Sequence, residues 1–223
     1  MIVGLKENIE RVKNLMQIKE SSHSKMLDLK AIEFYNNVVP DSTDVMQVAE
    51  SWQGGGYVWE SGTGLSIPLM WTNPETGQEE VLKDKQEKGT YCSGYALQVG
   101  YIVAKNRKLL DNKTKSELLN FMKEWYQASP KTCVTAITNL GIGTEINFED
   151  AQEGDFCQLW RVNNKGGHNV IFKNFVYKDD KIVGIHYRST QTLTDGIGDR
   201  TEYFTNGGGS VNKNETYFAR LNN

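Results

Sequence analysis

The stretch Gly89-Thr90-Tyr91-Cys92-Ser93-Gly94-Tyr95 constrains this chain more than any other. It leads directly into the apolar run Ala96-Leu97-Gln98-Val99-Gly100-Tyr101-Ile102-Val103-Ala104, long enough for about three turns of helix. A helix so apolar is a buried one, and the rest of the chain has to cover it. Its first turn carries Cys92. Backbone N–H groups are unpaired at that end and the helix dipole is positive. Both favour thiolate over thiol, and the thiolate is the nucleophile. The same N–H groups can hold a developing oxyanion. A free cysteine taken alone is more often a small buried hydrophobe, so other residues have to decide the matter.

The chain has 223 residues, a formal net charge of −3 and 38% hydrophobic content, enough for one large domain or a domain with a helical extension. The slight acidity argues against a nucleic-acid binder, which carries a basic patch. The three cysteines lie far apart, with no CxxC pair and no His at ligand spacing. A disulfide scaffold and a structural zinc site are therefore not expected. No segment is apolar for long enough to span a membrane. Met1-Ile2-Val3-Gly4-Leu5-Lys6-Glu7-Asn8 becomes charged at once and does not read as a secretory signal. The expectation is a chain that is cytoplasmic as synthesised unless a non-Sec route exports it.

Leu5, Ile9, Val12 and Met16 recur at helical spacing and predict an amphipathic helix over residues 4–20. After a break at Ser21-Ser22-His23-Ser24, Met26, Leu29, Ile32, Phe34 and Val38 predict a second helix, ending before Pro40. Residues 1–42 are thus read as a helical extension and 43–223 as the main domain. Val45, Ala49 and Trp52 predict a short helix, with Asp41-Ser42-Thr43 to cap it. Residues 60–90 read as a loop or short hairpin, turning at Asn73-Pro74-Glu75-Thr76-Gly77 and able to roof a cleft beside Cys92. Thr114 and Glu117 form a capping box for a helix to about residue 128, and a shorter helix ends at Gly141. Cys133 and Cys157 read as core.

From Glu145 the period changes to that of strands. Phe156–Arg161, His168–Tyr177 and Ile182–Gln191 are predicted as a meander, with shorter strands at Thr201–Phe204 and Thr216–Leu221. Helices first and antiparallel strands second make an α+β domain. If the turn at Lys178-Asp179-Asp180-Lys181 centres between the two aspartates, His168 lies opposite Gln191. Directly opposed residues share a face of the sheet, so Gln191 can fix one imidazole nitrogen and leave the other free. His186 is an odd number of residues from Gln191 and points the other way. Cys92, His168 and Gln191 are the parts of a thiol-nucleophile site, in which the His moves the proton and the amide sets its tautomer.

Gly56-Tyr57-Val58-Trp59, Tyr91-Cys92-Ser93-Gly94, Glu153-Gly154-Asp155-Phe156 and Gly167-His168-Asn169-Val170-Ile171-Phe172 resemble, in order, the motifs of the NlpC/P60 cysteine peptidases. The resemblance spans roughly residues 50–195 and is fairly specific because the motifs fall in order on the elements that family uses. It implies a papain-like fold, with the nucleophile helix packed on an antiparallel sheet, and hydrolysis of an amide in bacterial peptidoglycan stem peptides without a cofactor. It also implies Tyr57 as the aromatic that faces the nucleophile, with Ser93 beside it, as oxyanion or substrate-binding residues. Gln86 is a rival oxyanion donor, by comparison with papain. The sequence departs from the family where Tyr91 replaces an acidic residue and where Glu60-Ser61 follows Trp59. The insert before Cys92 is also longer. A delivered effector with an immunity or inhibitor protein as partner, or a phage-type lysin, fits such a chain. The alternatives are a papain-like peptidase or acyltransferase on a non-cell-wall substrate, and a binding module with a dead site. The oligomeric state is open.

Overall fold

The computed structural model describes residues 39–59, 62–127, 129–162 and 166–223. The helices expected over 4–20 and 26–38, with His23 between them, lie outside the described residues, as do Glu60-Ser61 and most of the turn at Asn163-Asn164-Lys165. The rest is an α+β arrangement. Helices α1 (Val45–Glu50), α2 (Cys92–Asn106), α3 (Lys115–Tyr126) and α4 (Thr132–Asn139) pack on a sheet of seven strands. These are β1 (Gly54–Gly55), β4 (Gly143–Ile146), β5 (Phe156–Arg161), β6 (Gly167–Lys178), β7 (Lys181–Gln191), β8 (Gly196–Tyr203) and β9 (Val211–Leu221). A separate hairpin joins β2 (Leu69–Thr72) to β3 (Glu79–Lys83).

The apolar run after Cys92 becomes the central helix. Almost every residue of α2 from Tyr95 to Ala104 is buried, as expected of a helix apolar on all sides. Phe156, Ile171, Ile197 and Leu221 join its cluster from the sheet, Trp52 from just past the end of α1 and Trp125 from near the end of α3. Gly94 sits where the chain at Thr63-Gly64 crosses the helix: a Cβ there would lie 2.2 Å from the Gly64 carbonyl carbon. Tyr95 donates its hydroxyl to Ala49 O, and Arg188 donates to Ala49 O and Trp52 O, so the end of α1 is tied to both helix and sheet. The helix-start signal is corrected by one step. Asp44, not Asp41-Ser42-Thr43, caps α1 by accepting from the Gln47 N–H. The capping box of Thr114 and Glu117, the αL stop at Gly141 and the Asn73–Gly77 turn are all present.

The sheet is antiparallel throughout, in the order β1-β8-β7-β6-β5-β9-β4. The expected meander holds from β5 to β8. β9 then crosses back to pair with β5, and β4, which the sequence did not announce, pairs with β9. The second face of the sheet is also covered. Leu159, Val170, Phe172, Ile185 and Tyr187 pack there with Phe204 and Phe218, and Phe148 stacks on Phe175 with centroids 4.7 Å apart. With both faces buried, inward and outward positions cannot be told apart by polarity.

Asp179 and Asp180 both take positive φ, as a two-residue hairpin turn demands. Two bulges follow. One adds a residue to β7 between Gly184 and Ile182, the other adds one to β6 between Phe172 and Asn174. Lying on opposite strands, they cancel. Ile171 therefore pairs with Arg188 in the register the turn alone would set, which carries His168 and Gln191 to the same level.

Candidate active site

The β6–β7 ladder stops at Ile171 and Arg188. Beyond that point the strands part, and the site is built in the parting. Ser189 Oγ donates to Asn169 O at 2.7 Å, and the Asn169 N–H is turned toward Cys92, whose thiol it lowers. Helix α2 reaches the gap with its first residue, Cys92, after the cap Tyr91. Thr90 and Thr190 share a 2.8 Å hydroxyl bond that pins the approach of α2 to the end of β7.

His168 lines the same gap. Its Nε2 lies 3.2 Å from Gln191 Oε1. An amide oxygen only accepts, so Nε2 carries the proton and Nδ1 is the free, basic nitrogen. Cys92, His168, Gln191 and Tyr57 all border one cleft of about 780 Å³, with Trp59, Arg161, Leu193 and Arg200 as its other large side chains. Ser93 lies beside Cys92, its Oγ 3.9 Å from Cys92 Sγ, but it faces a neighbouring cleft. Gln86 is excluded as an oxyanion donor. Its amide is spent on the loop, accepting from Gly64 N and donating to Lys88 O. His186 is turned away and bonds Thr201, on the neighbouring strand.

Behind the imidazole stands a set of residues that the sequence reading did not single out. Tyr187 meets the His168 ring edge to face, with centroids 5.5 Å apart. Its hydroxyl lies 3.2 Å from Gln191 Oε1 and 2.6 Å from Glu202 Oε2. One proton shared between these acceptors ties the amide to the carboxylate. Glu202 in turn is held by two of the three guanidinium nitrogens of Arg161, Nε at 3.0 Å and Nη2, and by Arg200 at 3.2 Å. Burial pushes the Glu202 carboxyl up, but its bonds to Arg161 and Tyr187 outweigh that and hold it below its usual range. Tyr187 was findable: it is four residues before Gln191 on one strand and so shares its face. Arg161 and Glu202 come from β5 and β8, and no local pattern joins them.

The electrostatics revise one expectation. Burial raises the Cys92 thiol above its ordinary range; the Asn169 N–H, Ser93 and the Arg161 charge pull it down only in part. Burial, helped by Arg161, lowers His168 to about 4. The resting pair at neutral pH is thus thiol and neutral imidazole, and the position at the helix start does not by itself produce a thiolate. Desolvation of the buried thiol is the larger effect. Tyr57 is raised by burial and by Cys92, so its hydroxyl stays protonated and able to donate. Cys133 and Cys157 are buried in the core with raised thiols, as expected of packing residues.

Among the described residues no group of three or more His, Cys, Asp or Glu side chains is arranged to hold a metal ion, and no helix is long and apolar enough to cross a membrane. Comparison with family models, with curated proteins and with solved structures finds no match to this chain.

Proposed function

We propose that this chain is a papain-like cysteine hydrolase of the NlpC/P60 type that cleaves an amide bond in peptidoglycan stem peptides. The observation that carries the reading is the bond from His168 Nε2 to Gln191 Oε1 at the wall of the cleft that Cys92 enters. It leaves the imidazole in the one tautomer that can accept a thiol proton through Nδ1. The four ordered motifs carry the choice of substrate class.

The chemistry follows from the neutral pair. As Cys92 Sγ attacks the carbonyl carbon, its proton passes to His168 Nδ1. The carbonyl oxygen becomes an oxyanion facing the Cys92 backbone N–H and the Tyr57 hydroxyl. His168 Nδ1 then protonates the leaving nitrogen, the C–N bond breaks and an acyl-enzyme remains. Water gives its proton to the same Nδ1 and attacks the thioester; the acid leaves and the proton returns to sulfur. Arg161 opposes a positive imidazolium, while Glu202, Gln191 and Tyr187 stand behind it. The imidazolium is therefore a transient of the reaction and not its starting state.

Purified sacculi incubated with the protein test this. New amine and carboxyl ends, identified by mass spectrometry and absent with Cys92→Ala, are the expected result. Sacculi left intact, with small thiol-reactive reagents still modifying Cys92, would redirect the reading to another amide or to acyl transfer.

A further inference from the structure

Gln191 decides which nitrogen of His168 carries the proton, but an amide has two ends, one that accepts and one that donates. Oε1 faces the imidazole, while Nε2 is buried with no hydrogen-bond partner among the described residues. Turned end for end, the same amide would set its NH2 group against His168 Nε2. That nitrogen would then have to accept, and the ring proton would pass to Nδ1, the atom that has to receive the thiol proton. The two ends of an amide are close in size, so packing does not choose between them. Another group has to favour the oxygen.

Tyr187 is placed to do so. Its side chain is fully buried, and its hydroxyl lies 3.2 Å from Gln191 Oε1. A proton directed there favours the amide oxygen; a bare hydroxyl oxygen would favour the NH2 group. The proton has one other destination, Glu202 Oε2 at 2.6 Å. A carboxylate offers about four acceptor positions, and guanidinium groups occupy three of them. Arg161 Nε and Arg200 Nη2 donate to Oε1 at 3.0 and 3.2 Å, and Arg161 Nη2 donates to Oε2. Two positive charges on one carboxylate blunt its pull on the Tyr187 proton and leave that proton to reach Gln191. Glu202, held below its usual range, stays ionised and has no proton of its own to give.

We propose that Tyr187 is a positioning residue: its hydroxyl, braced by Glu202 between Arg161 and Arg200, fixes which way round Gln191 stands and so keeps the His168 proton on Nε2. Tyr187 stands behind the cleft wall and acts through Gln191. Phenylalanine would fill the same space; what it would lose is the choice of tautomer. The use made of Nδ1 rests on the thiol-hydrolase reading above.

Nitrogen NMR of the histidine rings tests it, because the shifts of Nδ1 and Nε2 report which of them carries the proton. The chain has three histidines, and His168→Gln assigns the signal. His168 is held at about 4, so at neutral pH its tautomers are read without interference from the imidazolium. The wild type should carry the proton on Nε2. Tyr187→Phe should move the tautomer ratio toward Nδ1–H by on the order of tenfold, the upper range for a neutral hydrogen bond, and hydrolysis should lose kcat with KM little changed. Arg200→Gln, at a partly exposed position, frees Glu202 to draw the Tyr187 proton and should move the ratio the same way by less. An unchanged ratio in folded Tyr187→Phe overturns the lock even where its melting temperature falls, since lost stability is all that a merely structural tyrosine would give. If Tyr187→Phe does not fold, an unchanged ratio in Arg200→Gln overturns it instead. A wild-type ring already protonated on Nδ1 overturns the lock and, with it, the proton route of the proposed mechanism. Sacculi left intact, beside a tautomer that still follows Tyr187, would remove the hydrolase reading and leave the lock standing.

Discussion

Acid should destabilise this protein through His168 before it reaches the carboxylates. The imidazole is buried and held at about 4, against an ordinary value of 6.5. A depressed histidine carries no cost above the unfolded value, since both states are neutral there. As pH falls below 6.5 the unfolded chain takes up the proton and the folded chain does not, so stability drops until the folded group also titrates near 4. At about 1.4 kcal/mol per unit, the full loss is roughly 3 kcal/mol, and about 2 kcal/mol of it falls between pH 7 and pH 5. With a urea slope of about 2 kcal/mol/M, that is a fall of roughly 1 M in the midpoint. Glu202 and Asp199 are shifted below the usual carboxylate range and add their own acid losses, but only at lower pH. Urea melts of the wild type and His168→Gln from pH 7 to pH 5 isolate the effect, because the substitution removes the titrating ring. The wild-type midpoint should fall and the variant's stay nearly level. Equal slopes, or an imidazole NMR titration centred near the ordinary histidine value, would refute a buried neutral His168.

Cys92 is the most accessible of three buried cysteines and lines a cleft, so iodoacetamide should modify it before Cys133 and Cys157. The rate should climb through the alkaline range, whereas a plateau already reached at neutral pH would mean a resting thiolate. In hydrolysis assays His168→Ala should lose about 10²–10⁴-fold. Gln191→Ala should keep measurable turnover, and His186→Ala should be near wild type because its ring bonds Thr201 away from the cleft; a dead His186→Ala with a silent Gln191→Ala would invert the assignment. Gly94→Ala should cost about 1–3 kcal/mol in urea melts, because its Cβ would press on the Gly64 backbone at 2.2 Å; a wild-type midpoint would show that the crossing loop can move.

Much of the frame was legible because local chemistry wrote it. The apolar run of α2, the box at Thr114 and Glu117 and the paired aspartates of the β6–β7 turn each specify their element within a few residues. The pairing of His168 with Gln191 followed from that turn, although the two bulges that could have shifted it were invisible and happened to cancel. Strands β1 and β4 are short, and β8 and β9 begin earlier than their apolar residues suggest. Their ends are fixed by strand partners, distant in sequence for β1, β4 and β9 and across the short turn from Gln191 for β8. The return of β9 to β5 is of the same kind. The ion-paired set behind His168 joins β5, β7 and β8, and became visible only once the sheet had assembled.

The parting of β6 and β7 explains both the gain and the cost of this site. A ladder continued past Ile171 would have used the Asn169 N–H and O in strand pairing. Its interruption turns that N–H toward Cys92, where it lowers the thiol, and gives the carbonyl to Ser189. The same closure removes water from sulfur and imidazole, which raises one and lowers the other until neither is charged at rest. In the proposed reaction charge is created during attack, among groups fixed beforehand: Gln191 against Nε2, Tyr187 against Gln191, and Glu202 locked by Arg161. Groups that need not reorganise as charge develops stabilise it more than solvent would. On this view the buried Arg161–Glu202 pair belongs to the site. Arg161 lowers the thiol and Glu202 raises the imidazole, so in the proposed reaction they would act on opposite ends of one proton transfer.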